Sequence, residues 1–439
     1  MVPNPKPSGL RALIVTYYWP PAGGPGVQRW LKFVKYLPEF GIKPIVVIPE
    51  NASYPLLDPT IGSDLPDDLE MLLVPIREPN QWLKRWGASS ARSISSGMIP
   101  PEQKQSLRQR FLLFVRGNLF IPDARKYWVG PTTKRIRNYL ATHPVDLLIT
   151  TGPPHSVHRI GQHIKKKHPQ LPWVADFRDP WTAIGYHDKL KLTSWAQRKH
   201  QQLEQEILDQ ADNLLVTAPG LKWSFEQQTE TPITVITNGY DEPNTATHRF
   251  SDSFTLAHIG SLLSDRNPEI LWEALAELKK ENEDFSDNLK LVLAGRVSET
   301  VVESIKERGL EPQLDFRGYV SHAEAIKLQE EAAMLLLIEI DRPEMEVIIP
   351  GKLFEYLRAR RPILALGPPR ADFRKILEET QAGTFFTYDQ KAPLKAQLQE
   401  DYNRFKEGML SVPEMNIAVY SRRALTGKLA NLLHQLKAH

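Results

Sequence analysis

Short, unbroken apolar runs alternate with longer stretches whose apolar residues recur every three or four positions, from end to end of the chain. Runs such as Leu13-Ile14-Val15 do not alternate with polar residues, which suits strands covered on both faces of a sheet. In the first half the pattern predicts strands at Ala12–Thr16, Pro44–Ile48, Met71–Val74, Leu147–Thr150, Trp173–Ala175, Asn213–Thr217 and Thr234–Ile236. Helices such as Val27–Pro38 and His155–Lys167 lie between them. After a polar stretch, Asp241–Asp252, the plan repeats, with strands at Phe254–His258, Leu291–Ala294, Leu314–Phe316, Met334–Ile338, Ile363–Leu366 and Thr384–Phe386. The helix after Phe254–His258 has a clear expected start, with Asn267 as N-cap and Pro268 at the first helical position. This βα alternation predicts an α/β protein with two doubly wound parallel sheets in tandem. Such sheets bind ligands beyond the carboxyl ends of their strands, and a cleft between two such domains is a favoured place for a small ligand.

The loops at those ends hold the candidate chemistry. Ile349-Pro350-Gly351-Lys352-Leu353-Phe354-Glu355-Tyr356 opens a helix with Pro-Gly and puts a lysine and a carboxylate in its first turns. A helix start presents unpartnered N–H groups and a partial positive charge, so it favours a phosphate. Lys352 adds a full charge there, and Glu355 can accept hydrogen bonds from a diol such as a ribose 2′/3′ pair. The same pattern also describes an ordinary amphipathic helix that buries Leu353, Phe354 and Leu357. After the first strand, Tyr17 to Arg29 contains Gly23, Gly24 and Gly26, which permit close approach of backbone to an anion without matching the dinucleotide fingerprint. Thr151-Gly152-Pro153-Pro154 and Asp176-Phe177-Arg178-Asp179-Pro180-Trp181 follow two further strands. Asp176 and Asp179 flanking Arg178 fit either a site for a hydroxyl-rich ligand or an internal ion pair that shapes the loop. In the second half Arg266 can reach a phosphate, while Gly295-Arg296 and Gly318-Tyr319-Val320 can line a slot for a base.

Other features narrow the field. With 439 residues, two domains are expected. A net charge of +3 argues against a nucleic-acid binder that works by neutralising phosphates. With no cysteine, disulfides and thiolate metal sites are excluded, in keeping with a reducing cytoplasm. His155, His158, His163 and His168 share a helix with three lysines and are read as a solvated face, so no metal site is expected. No Asp-x-Asp, P-loop or nucleophile elbow occurs. Met1–Arg11 lacks the regions of a signal peptide, and no apolar run approaches the ~20 residues that span a bilayer. Trp82 to Arg137 departs from the plan. It is rich in Lys, Arg and aromatic residues, which suits either the headgroup layer of an anionic membrane or a helical insertion packed on its domain.

Taken in order, Tyr17–Gly26, Thr151–Pro154, Asp176–Trp181, Thr237–Asp241, Arg266 and Pro350–Tyr356 resemble the motifs of the GT-B glycosyltransferases of retaining family 4. The resemblance covers nearly the whole chain and implies a GT-B fold of two Rossmann-like domains facing a cleft. The expected domains are 1–240, 250–415 and a C-terminal helix, 416–439, that crosses back to the first. Arg266, Lys352 and Gly351 would hold the diphosphate of a nucleotide-sugar donor, Glu355 the ribose, and Gly23 and Gly24 would approach from the first domain. Arg178-Asp179 falls where many relatives have His-Asp facing the transferred sugar. Two positions depart. Val347 stands where the first glutamate of a Glu-x7-Glu pair is expected, with Glu344 and Glu346 out of register. Ser261 stands where an arginine is expected. The implied activity is transfer of a sugar, with retention and without a metal or other cofactor, to a glycan or lipid-linked acceptor in surface polysaccharide or glycoconjugate synthesis. The alternatives are a nucleotide-sugar 2-epimerase of the same fold and a non-catalytic subunit that binds a nucleotide sugar.

Overall fold

The computed structural model describes residues 9–58, 61–66, 68–78, 107–182, 190–241, 251–412 and 417–438. The chain forms two compact units, one from Met1–Thr237 with Arg422–His439 and the other from Asn238–Ser421.

The first unit is a parallel sheet of seven strands, β1 (Leu10–Thr16), β2 (Ile42–Pro49), β3 (Glu70–Val74), β4 (Leu147–Gly152), β5 (Trp173–Phe177), β6 (Asn213–Val216) and β7 (Ile233–Val235). Their order is β3-β2-β1-β4-β5-β6-β7. Its helices are α1 (Pro25–Tyr36), α2 (Leu107–Leu119), α3 (Val129–Leu140), α4 (Ser156–Lys165), α5 (Ser194–Gln210) and α6 (Pro219–Glu226). The apolar runs sit where the pattern predicts, the central ones in strands buried from both faces, with Ala12 to Val15 fully buried, while edge strand β3 exposes Met71 and Leu73. The strand order reverses between β1 and β4, whose ends align Thr16 with Thr151. The loops after these two strands are therefore neighbours at a switch point, where ligands of such sheets bind.

The second unit repeats the plan with six strands, β8 (Phe254–Ile259), β9 (Leu289–Ala294), β10 (Leu314–Gly318), β11 (Met334–Ile338), β12 (Ile363–Leu366) and β13 (Gly383–Phe386). Their order is β10-β9-β8-β11-β12-β13, which puts the switch point between β8 and β11. Its helices are α7 (Glu269–Glu281), α8 (Glu283–Asn288), α9 (Glu299–Glu307), α10 (His322–Glu331), α11 (Gly351–Ala359), α12 (Asp372–Thr380) and α13 (Lys391–Lys406). The last helix, α14 (Arg422–Ala438), returns to the first unit. Its Leu425, Leu429 and Leu433 join the core that contains Trp30, Phe33 and Val34 of α1. Each such leucine contributes about 1.5–3 kcal/mol on burial, which is what holds the end of the chain there.

Two local expectations need correction. The N-cap of α7 is Pro268, with no side-chain cap, rather than Asn267. Asn267 ends the preceding 3-10 turn, and its side chain is taken by the indole N–H of Trp272 at 2.9 Å. Two of the four histidines after Pro154 are not on a solvated face, although His163 and His168 are partly exposed. His155 and His158 are buried because that side of α4 covers the sheet. His158 bonds Thr150 at 2.9 Å and lies over Phe177, and burial pushes it down to about 3, so it is neutral. Among the described residues no group of three or more His, Cys, Asp or Glu is placed to hold a metal, and no helix is long and apolar enough to cross a membrane. Of the basic stretch Trp82–Arg137, residues 82–106 lie outside the described residues; the rest forms α2 and α3, with a short turn between.

Candidate functional site

The carboxyl ends of β8 to β11 gather most of the second-half candidates. Helix α11 buries Leu353, Phe354, Tyr356 and Leu357 and exposes Glu355. Its register is pinned by Tyr356, whose hydroxyl accepts the backbone N–H of Ile259 at 3.0 Å, docking the helix on the end of β8. Lys352 is thereby laid across Gly260. A Cβ at Gly260 would stand 2.3 Å from Lys352 Cε and 2.7 Å from Nζ and would push the lysine aside, and φ there is +124°, which favours glycine. Gly295 approaches equally closely, since a Cβ on it would meet the Gly260 carbonyl oxygen at 2.5 Å.

The Lys352 ammonium donates to the Ser261 carbonyl oxygen at 3.3 Å and lies 2.9 Å from Nε2 of His258. Burial, then the charge of Arg266, pushes Lys352 down to about 8, against the pull of Glu339 and Glu355. Arg266 is not a solvated arginine. Its Nε donates to Glu339 at 2.9 Å, and a second nitrogen lies 2.8 Å from the same carboxylate oxygen. Glu339, just past β11, is buried and also accepts the Ile340 N–H at 2.9 Å. Glu355 accepts from Gln329 at 3.2 Å and is exposed. Arg296 and Tyr319 are exposed at the ends of β9 and β10, Tyr319 by 90%. Val320 is half-buried beside it. Glu346 pairs with Arg370 at 3.2 Å, and Glu344 is exposed.

His258 and Glu339 were missed from sequence. Each is a polar residue inside or closing a continuous apolar strand, Phe254–Ile259 and Met334–Ile338, and that interruption was the available signal.

In the first unit the loops after β1, β4 and β5 interlock. Gly24 caps α1 with φ +108°, and Gly23 donates to the Leu56 carbonyl at 3.1 Å. Arg178 donates to the carbonyl oxygens of Gly152 at 2.8 Å and Pro153 at 2.7 Å. Its guanidinium fills the space over Gly26, where a Cβ would stand 1.7 Å from it. Asp176 is fully buried and accepts from Trp30 Nε1 at 2.6 Å and Thr151 Oγ1 at 2.8 Å, with Arg29 at 3.2 Å. Asp176 and Arg178 are thus engaged by the protein itself and shape the loop. Asp179 is half-buried, its carboxyl raised by burial, and it accepts no hydrogen bond from a described residue.

Two doubly wound parallel sheets, each with its polar groups at the carboxyl ends of the strands, define the class: a GT-B glycosyltransferase fold. Residues 242–365 match the model of the family described as glycosyl transferases group 1, a segment that takes in β8 to β11 with Arg266, Lys352 and Glu355. Among solved structures the chain is similar to sucrose-phosphate synthase from Thermosynechococcus elongatus, at 14% identity and a TM-score of 0.59, over 98% of this chain and 99% of that one. It is similar to HepE from Anabaena, solved in complex with UDP-glucose, at 12% identity and a TM-score of 0.52, over 98% and 97%. A putative UDP-N-acetylglucosamine 2-epimerase from Listeria monocytogenes is similar at 11% identity and a TM-score of 0.53, over 98% of each. None of the curated proteins matches. The neighbours differ in activity, so the likeness fixes fold and leaves function to the site.

Proposed function

We propose that the chain is a retaining glycosyltransferase that takes its sugar from a nucleoside-diphosphate donor. The acceptor is a glycan or lipid-linked molecule of surface polysaccharide or glycoconjugate synthesis. The observation that carries this reading is the gathering of Lys352 and Arg266 beside the open start of α11, at the switch point of the second sheet. In this role both cations and the helix N–H groups take the charge that builds on the diphosphate as its bond to the sugar breaks. A placed donor of this kind is worth about 3–4 kcal/mol in other enzymes. Glu355 takes the ribose hydroxyls, and Tyr319 offers an exposed ring beside the base. With Glu339 already neutralising Arg266, the excess positive charge is chiefly that of Lys352.

Thermal denaturation with UDP, GDP and ADP and their sugars, with and without EDTA, tests the donor site. One nucleotide is expected to raise the midpoint, EDTA to change nothing, and Glu355→Ala to abolish the shift. No shift with any nucleotide would remove both the transferase and the epimerase. Incubating the preferred nucleotide sugar without acceptor separates those two, since only an epimerase converts it.

Contact with an anionic membrane belongs to the same proposal. On α2, Phe111 is 65% exposed and Leu119 62%, on a helix that also carries Arg110 and Arg116. Cosedimentation with phosphatidylglycerol vesicles should weaken in salt and on replacing both arginines by glutamine. Binding indifferent to both changes would count against a membrane role.

A further inference from the structure

His258 has a fixed hydrogen-bonding direction. It is fully buried in β8, and its Nδ1 lies 2.9 Å from the carbonyl oxygen of Leu336 in the neighbouring strand β11. A carbonyl only accepts, so Nδ1 carries the proton and donates. Nε2 also lies 3.4 Å from the Ser261 carbonyl oxygen, but the Lys352 ammonium is closer to it, at 2.9 Å, and leaves no room for a proton on Nε2, so Nε2 keeps a lone pair that faces the ammonium. Burial, and then the charge of Lys352, hold the imidazole well below its ordinary range, in keeping with this neutral form.

We infer that His258 is a positioning residue for the donor diphosphate, its Nε2 lone pair holding the Lys352 ammonium over Gly260. This role rests on the donor site proposed above and adds to it the part that sets the lysine. An ammonium has three N–H bonds. The Ser261 carbonyl and His258 take two, which leaves one for a phosphate oxygen. A lysine is a flexible point charge whose four-carbon stem must be ordered before it binds anything, and the two acceptors do that ordering in advance. Pairing Lys352 with a carboxylate would order it equally well but cancel its charge. A neutral imidazole orders it without that loss.

The arrangement also couples binding to protons. The charged groups facing Lys352 are Arg266 from the turn after β8, Glu339 from the end of β11 and Glu355 from its own helix. Together with burial they bring it to about 8 in the free protein. A diphosphate beside it favours the ammonium and raises that value, so binding near pH 8 takes up a proton. Affinity is full while Lys352 is charged and falls as pH rises above the free value.

Titration calorimetry with inorganic pyrophosphate and with UDP, GDP and ADP, on the full chain at pH 7, 8 and 9, tests this. Wild type should take up protons near pH 8, read from the dependence of the binding heat on buffer ionisation enthalpy. His258→Leu removes the acceptor and should bind about tenfold more weakly at pH 7. Its deficit should grow with pH, because an ammonium without its acceptor deprotonates earlier. His258→Gln, which offers an amide oxygen at a similar reach, should recover most of the affinity. A merely structural histidine would lower the denaturation midpoint and leave the pH profile of binding unchanged. That result, or equal affinity in His258→Leu, would overturn the role of His258 alone. Wild-type binding without proton uptake between pH 7 and 9 would overturn it too, even where the leucine variant fails to fold. A wild type that binds no diphosphate at any of the three pH values would instead overturn the donor site.

Discussion

Replacing Asp176 by alanine is expected to destabilise the first unit by about 3–5 kcal/mol, the usual cost of stripping a buried charge of its partner. The carboxylate and the Arg29 side chain are almost wholly buried, 3.2 Å apart. Arg29 would keep its bond to the Thr237 carbonyl at 2.8 Å and lose its counter-charge. The Trp30 and Thr151 donors, both directed at Asp176, would be left without that acceptor in a site closed to water. Asp176→Asn keeps the volume and one acceptor oxygen, so it should cost less than alanine. Denaturation followed by tryptophan fluorescence should show a transition lower by on the order of 10 °C for alanine. A midpoint within a degree or two of wild type would mean that these donors do not need Asp176.

The second large effect is on binding. Lys352→Ala should weaken nucleoside-diphosphate affinity by about 10–100-fold, the loss of a charge-assisted hydrogen bond of about 1.5–3 kcal/mol. Stability should fall little, because alanine suits a helix and the lysine's charge is held at a cost by burial. Lys352→Arg should not rescue binding, since the larger planar guanidinium does not fit the slot between Gly260 and His258. Gly260→Ala should resemble Lys352→Ala from the opposite side, by pushing the ammonium out of place and straining a φ of +124°. Calorimetry with the preferred nucleotide measures all three. Unchanged affinity in Lys352→Ala would remove the lysine from the donor site and leave Arg266 to explain any binding.

Much of this was legible from the chain alone. The apolar runs place every strand of both sheets to within a few residues; the central strands are apolar throughout because both faces are buried, while edge strands such as β3 and β10 are mixed and partly exposed. Pro350-Gly351 marks the start of α11 for a local reason, since proline cannot continue a chain's hydrogen bonding and suits a helix entry. Periodicity did less well with polar residues. His155 and His158 lie on a helix beside lysines and read as solvated, yet they face the sheet. Spacing gives a residue's face on its own helix, not what that face meets.

Composition and spacing by themselves determined two α/β sheets, the loops at their carboxyl ends, and a helix start with a lysine and a carboxylate. What those residues do to one another depends on how the folded chain brings them together. The order β9-β8-β11 brings His258, Glu339 and Lys352 together although they are far apart in the chain, and it turns Arg266 onto Glu339 rather than into solvent. The tertiary structure also decided that Asp176 and Arg178 are engaged inside their own loops, while the bonding partners of Lys352 are a neutral imidazole and a backbone carbonyl. The physical reason is that charge and hydrogen bonding act over a few ångströms of space. Strand order sets those distances, and no local pattern in the sequence encodes them.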